Sequence, residues 1–368
     1  MSLRIRFVST HLGHVRGGAE INDLTLGAEF SKMGHDVSYI TIGNDSANLS
    51  NGVKTLGVDC PYAYDLSYSV PEPLGKIIRH LNEELFIHRI HQDTREPLSE
   101  ADIVYATGRP VLSRLRKLTD SPFVYTVRGR VNPLYDRYLK RADGLVFWGG
   151  CDEEYEDKSI LSIPNRTIDP GIDPDTFCPQ ELSDGDKPEY ATNESTVLTF
   201  SGRLEPVKQI DNIIEAVSRL ESEFDLTLVI LGDGSQRSKL EELADSIVDE
   251  TPIHFTGRVE HDSIPTHLNA SDVFILASAM ENHPIALKEA IACGTYSVAP
   301  AIGRIPQIVS EDTGYVYEDN TTKGLTAALQ EILSNNRHKR RSRRERSVQF
   351  ADWNDAADKI INLFKQLQ

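Results

Sequence analysis

The sequence is short of sulfur, of long apolar runs and of positive charge, and each shortage excludes something. Four cysteines, Cys60, Cys151, Cys178 and Cys293, are scattered with no C-x-x-C pair. That is neither a disulfide framework nor a zinc site, and it suits a reducing compartment. No apolar run approaches the ~20 residues that span a bilayer. The opening MSLRIRFVST is too short in its apolar part for a signal peptide and reads as a first strand, so a cytoplasmic location is expected. Lys and Arg number 39 against 56 Asp and Glu, a net charge of −17 that repels phosphate and argues against nucleic acid as a partner. There is no low-complexity tract and no short internal repeat.

What is present is an alternation of strand and helix patterns. RIRFVST, HDVSYITIG, ADIVYATG, PFVYTVRG and GLVFWGG read as strands separated by helical stretches. From Thr196 the alternation restarts with TVLTFSG, LTLVILGDG, IHFTGRV, DVFILAS and TYSVAPAIG. A chain of 368 residues is long for one core. We therefore expect an α/β protein of two doubly wound, Rossmann-like domains facing a central cleft. The expected boundaries are 1–172, a Pro- and Asp-rich crossover and linker at 173–195, and a second domain at 196–350. The final stretch from Trp353 is an amphipathic helix striped by Ile360, Ile361, Leu363, Phe364 and Leu367.

Ligands of such sheets bind off the carboxyl ends of strands, so the strand-to-helix loops carry the functional candidates. HVRGGAE places Gly17 and Gly18 at a helix start, where backbone can approach an anion; a tight turn explains them equally well. No G-x-G-x-x-G is present, which weakens a nicotinamide-cofactor reading. FSGRLEPVKQ sets Arg203 and Lys208 ahead of a helix, a credible diphosphate clamp. The alternative is that Arg203 pairs with Glu205 and Lys208 points to solvent. LVILGDGS is a turn beginning at Gly232, and IHFTGRVEHDSI could line a base pocket with Gly257, Arg258 and Val259.

MENHPIALKEAIACGT is the most informative stretch. Pro284 suits a helix start and Gly294 its stop, which leaves Glu281 outside the helix and Glu289 inside it. Ile285, Ala286, Leu287, Ala290, Ile291 and Ala292 make that helix apolar on most sides. An ionised carboxylate buried there needs donors, and ligand hydroxyls are one source. Lys288 or a core amide is the other.

Taken in order, these strings resemble the retaining GT-B glycosyltransferases of the group 1 family. GGAE with GHDVSYIT, PGIDPDTFCP, SGRLEPVK, LGDGS, FTGRV and the E-x7-E string ENHPIALKEAIACGT cover nearly the whole chain. The resemblance implies transfer of a hexose-type sugar from a nucleotide-sugar to a glycan or lipid-linked acceptor, with the anomeric configuration kept. It implies Arg203 and Lys208 on the donor diphosphate, Glu289 on the ribose hydroxyls, and Glu281 with the backbone of Asn282, His283 and Pro284 at the sugar. Gly18 would approach the diphosphate from the first domain, onto which the final helix would cross back. No metal or other cofactor is implied; DPD at Asp173 to Asp175 mimics a D-x-D metal string but lies in the crossover. His88 and His91 have ligand spacing but sit on a charged helix face. A non-catalytic nucleotide-sugar-binding protein and a nucleotide-sugar epimerase are the alternatives.

Three positions depart from the family pattern. Arg128 stands where relatives often have His, Gln307 where they often have Glu, and Gln209 where Gly is usual. Arg128 with Arg130 could bind a phosphate on the acceptor; pairing with an acid is the bland reading. Two basic clusters interrupt the acidic chain: Arg128, Arg130, Arg137, Lys140 and Arg141, and the run 337–347. The first is a candidate for docking on an anionic membrane surface. The second reads as a solvated face balanced by acids.

Overall fold

A computed structural model describes residues 2–12, 18–43, 54–63, 66–67, 70–93, 98–108, 110–129, 136–183, 185–191, 195–281, 283–339 and 342–368. The chain forms two compact units, residues 1–171 with 353–368, and residues 172–352.

The first unit is a seven-stranded sheet in the order β3-β2-β1-β4-β5-β6-β7. Its strands are β1 (Arg4–Ser9), β2 (Asp36–Ile42), β3 (Lys54–Val58), β4 (Ile103–Thr107), β5 (Phe123–Val127), β6 (Gly144–Trp148) and β7 (Asn165–Ile168). Every pairing is parallel. Alternate residues of a strand face opposite sides, and here both sides are packed. In β4, Ile103 and Tyr105 join one apolar cluster, Val104 and Ala106 the other. Helix α1 (Gly18–Lys32) lies on the first side, and α2 (Glu72–Asp93) packs by β3.

The second unit repeats the architecture with six strands in the order β10-β9-β8-β11-β12-β13. These are β8 (Thr196–Ser201), β9 (Leu226–Leu231), β10 (Ile253–Gly257), β11 (Val273–Ile275), β12 (Tyr296–Pro300) and β13 (Gly314–Tyr317). The longer helices are α3 (Ile210–Leu220), α4 (Arg237–Ile247), α5 (Ile285–Ala292) and α6 (Thr322–Ser334). Strand order reverses between β8 and β11, so the loops leaving those two strands diverge over a crevice, the usual ligand position in such sheets.

The last helix, α7 (Trp353–Leu367), belongs to the first unit and packs on α1, β6 and β7. Its stripe is buried at Ile360, Ile361, Leu363 and Phe364, with the Phe364 ring 5.7 Å from both Phe30 and Tyr105. Residues 173–195, read from sequence as a crossover and linker, are anchored to the second unit at several points. Phe177 enters the second unit's core, the Gln180 amide donates to Asn269 Oδ1 at 2.9 Å, and Tyr190 packs beside Val197. Asp173 caps its own turn, accepting from the Asp175 amide at 3.0 Å and the Thr176 hydroxyl at 2.6 Å.

Gln209 links the short 3-10 turn Pro206–Lys208 to α3 with φ 48° and ψ 47°. A side chain costs roughly 1–2 kcal/mol in that left-handed region, less the entropy glycine loses on folding. Its Oε1 is also buried with no donor among the described residues. Gln209→Gly should therefore raise stability by about 0.5–1 kcal/mol, read as a higher urea midpoint.

Candidate functional site

In the second unit the glycine loops form one backbone lattice. Gly202 follows β8 and donates to Leu231 O at 2.9 Å, while Gly232 donates to Gly257 O at 2.9 Å. A Cβ on Gly232, at φ +135°, would meet Gly202 O at 1.9 Å, so only glycine allows β8 and β9 to end this close. Leu204 donates to Asp233 O at 3.0 Å and accepts from the Gln236 amide at 2.9 Å. The loops after β8, β9 and β10 are thereby held as one rim.

Arg203 and Lys208 stand on that rim with different fates. Arg203 is exposed, and its guanidinium has no partner among the described residues. Glu205 does not take it, because its carboxylate accepts from the Ser235 hydroxyl at 2.7 Å. Lys208 is mostly covered and its Nζ binds Glu281 Oε1 at 2.5 Å. The same oxygen accepts from Ser278 Oγ at 2.7 Å. The contact is built by backbone: the Ala279 amide donates to Val207 O at 2.8 Å, pinning the loop after β11 to the turn after β8. Asn320 Nδ2 holds Ser278 O from the far side at 3.0 Å.

Glu289 lies in α5, whose end is a Schellman stop: Gly294, at φ +73°, donates to Ile291 O, and Thr295 donates to Ala290 O. Glu289 is 5% exposed, yet its buried charge does not wait for a ligand. His261 Nε2 binds its Oε1 at 2.9 Å, with the imidazole against the Phe177 ring. The hydrogen bond to Glu289 raises the His261 pKa above its ordinary value, so the imidazolium is favoured. The sequence offered a ligand, Lys288 or a core amide as donor; the structure supplies His261 for one carboxylate oxygen, and Lys288 lies over the Phe350 ring. Glu289 Oε2 has no donor among the described residues and is the atom left for a ligand. Sequence reasoning missed His261, whose one signal was its place four residues past Gly257 in a strand-to-helix loop.

The Lys208 ammonium lies directly on Glu281. Arg258 is exposed, Val259 packs beside Val197, Val229 and Leu231, and Pro284 is the N-cap residue of α5 with His283 half-buried before it. Gly17, Arg130 and Asn282 lie outside the described residues. Gly18 is the first residue of α1 in the first unit.

Arg128 is no loose surface cation. It follows β5, pairs with Asp23 of α1 and lies 4.5 Å from the centre of the Trp148 ring. Burial raises the Asp23 pKa to about 6, against the opposing pull of Arg128 and a hydrogen bond from Thr107. The folded state thus holds its Asp23 proton more tightly than the unfolded chain, and this group's stability contribution falls as pH rises from about 4 to about 6. The loss is about 2–3 kcal/mol. Asp23→Asn should flatten that slope when urea stability is compared across the window.

Within the basic run 337–347, Lys339 is exposed and Arg337 pairs with Glu331, whereas Arg343 and Arg346 reach backbone carbonyls. Arg346 is buried, donating Nε to Gly294 O at 3.0 Å and a second nitrogen to His338 O at 2.6 Å. Arg343 reaches Ser271 O, Leu268 O and Thr295 Oγ1. Backbone carbonyls at the ends of helices thus take hydrogen bonds from both guanidinium groups. Among the described residues no cluster of three His, Cys, Asp or Glu could hold a metal, and no helix is long and apolar enough to cross a membrane.

Comparison with known proteins fits this geometry. Residues 184–350 match the family described as Glycosyl transferases group 1. The chain is 31% identical to the GDP-mannose-dependent alpha-(1-6)-phosphatidylinositol dimannoside mannosyltransferase of Mycobacterium tuberculosis, over 98% of this chain and 95% of the relative. Sucrose-phosphate synthase from Thermosynechococcus elongatus has a TM-score of 0.79 at 18% identity, with 99% of both chains covered. An Anabaena protein, Alr3699/HepE, in complex with UDP-glucose has a TM-score of 0.69 at 15% identity, covering 99% of this chain and 98% of its own. At such identities the two structures show the shared GT-B fold alone. The relative matched along nearly its whole length shows more than the fold: this chain belongs to the group 1 glycosyl transferases.

Proposed function

We propose that the chain is a configuration-retaining hexosyltransferase that uses a nucleotide-sugar donor and needs no metal. The observation that carries this is the rim after β8 and β11, which bears the Lys208–Glu281 pair and an exposed Arg203 with no partner among the described residues. A leaving diphosphate gains negative charge as the glycosidic bond breaks, and fixed cations aimed at it lower that barrier. Arg203 and Lys208 supply two such charges. Glu281 orients Lys208 and faces the donor sugar. Glu289, steadied by His261, offers Oε2 to the ribose hydroxyls.

The acceptor is a glycan or a lipid-linked sugar, and the enzyme works in the cytoplasm at the inner face of a membrane. The activity named for the mycobacterial relative makes GDP-mannose the first donor to try and an inositol lipid the first acceptor. The test is transfer from UDP-, GDP- and ADP-sugars with and without EDTA, with the product anomer read by NMR. A product of inverted configuration, or activity abolished by EDTA and restored by a divalent cation, would sink the corresponding part of the proposal. Donor binding without transfer or hydrolysis, across a panel of acceptors, would point to the binding-protein alternative.

A further inference from the structure

Strand order reverses in the first unit as it does in the second, here between β1 and β4. Ligands of such sheets bind beside that reversal, at the carboxyl ends of the strands. Four side chains from separate elements gather there. Asp23 comes from α1, Thr107 ends β4, Arg128 follows β5 and Trp148 ends β6. The register brings them level: Ser9 stands opposite Thr107 and Val127 opposite Phe147, so Arg128 leaves its strand beside Trp148.

Asp23 is an unexpected residue for its position. It is 3% exposed, on a helix whose Leu26 and Phe30 join the apolar cluster against the sheet. Taking two charges out of water costs about as much as their attraction returns, and apolar residues of similar volume are often the more stable choice. Stability therefore does not account for the Asp23–Arg128 pair. What the pair does achieve is a fixed cation. Arg128 is held by the Asp23 carboxylate and lies 4.5 Å from the centre of the Trp148 ring, with 23% of its side chain still exposed. A guanidinium already stacked and paired loses little freedom when it meets an oxyanion.

The carboxylate also sets how much charge that cation presents. With Asp23 ionised the pair is neutral, and with Asp23 protonated Arg128 is a net positive charge. The groups facing the Asp23 carboxylate are the Arg128 guanidinium, the Thr107 hydroxyl and Glu20 one turn earlier on α1, with the Tyr39 and Tyr105 phenols nearby. Burial outweighs the pull of Arg128 and Thr107 and raises the Asp23 pKa to about 6.

We propose that Asp23 is a positioning residue that selects a phosphate-bearing acceptor, fixing Arg128 at the carboxyl edge of the first unit's sheet and setting by its own charge how strongly Arg128 takes the phosphate. The proposal rests on the transferase reading above and names the acceptor's chemistry. An anion brought to Arg128 is repelled by an ionised Asp23, so binding takes up a proton and affinity rises as the pH falls. A neutral sugar acceptor meets no such repulsion and gives no such slope.

The test is calorimetric binding of glycerophosphoinositol to the full chain at about pH 5.5 and about pH 7.5. This phosphodiester keeps one negative charge across that window, and myo-inositol is its uncharged counterpart. The wild type should bind the diester about fivefold more tightly at the lower pH and myo-inositol equally at both. Asp23→Asn should bind the diester equally at both, at the level the wild type reaches in acid. Thr107→Val deletes a hydrogen bond to the carboxylate while leaving Arg128 its partner, and should carry the slope to higher pH. Arg128→Gln should lose the preference for the diester over myo-inositol. An unchanged slope in Asp23→Asn, the same slope with myo-inositol, or undiminished diester binding by Arg128→Gln would overturn the proposal. A wild type that binds neither probe overturns it too, as do variants that lose only urea stability, since the pair would then serve the fold alone. A wild type that shows the slope but transfers no sugar strikes the enzymatic reading and leaves the pair standing. Transfer to acceptors with and without phosphate at equal KM does the reverse.

Discussion

Lys208→Ala should lower kcat by about two to three orders of magnitude, the usual cost of removing one fixed donor from a developing negative charge. The structure adds a second consequence. Lys208 covers Glu281, whose side chain is only 11% exposed, so the alanine variant leaves a nearly buried carboxylate without its cation. That bare charge would face an anionic donor and weaken its binding as well. The two effects separate in a double variant. Lys208→Ala/Glu281→Gln removes both charges and should recover donor affinity, read as KM or by calorimetry, while kcat stays low. A kcat within a few-fold of wild type for Lys208→Ala would mean that the ammonium serves only to neutralise Glu281. Full recovery of kcat in the double variant would lead to the same conclusion.

The legible parts of this protein were those dictated by local pattern. Central strands such as PFVYTV and LTLVIL are near-continuous apolar runs because helices cover both faces of a parallel sheet, and such runs identify themselves. Edge strands did not. Lys54–Val58 contains a glycine and carries little burial, and Gly314–Tyr317 spans only four residues. PVLSRLRK has a helical apolar spacing but winds as a 3-10 helix, a choice that periodicity over eight residues cannot make. The rim was legible as a set of loops, because glycine and cation at strand ends have few other uses. The partners were not: Lys208 finds Glu281 across 73 positions, Glu289 finds His261 across 28, and Arg128 finds Asp23 across 105. Those choices depend on how loops from different strands meet, which no single stretch of sequence encodes.

The same limit hid the largest expected stability effect, which lies in the basic run 337–347. Arg346→Ala should destabilise the second unit by about 3 kcal/mol. Two charge-assisted hydrogen bonds are lost, and the carbonyls of Gly294 and His338 are left buried without this donor. The site matters because Gly294 ends the helix that carries Glu289, and a Cβ there would strike the Arg343 backbone, so this segment packs directly on the helix stop. Arg346→Lys keeps the charge but cannot span two acceptors with one ammonium, and should recover less than half of the loss. Two units need not unfold in one transition, so hydrogen exchange across Ile285–Ala292 is the sharper measurement. Faster exchange there, with unchanged protection in the strands of the first unit, is the expected result. Uniform loss of protection in both units, or none in either, would remove Arg346 from its place as the clamp on the glutamate helix.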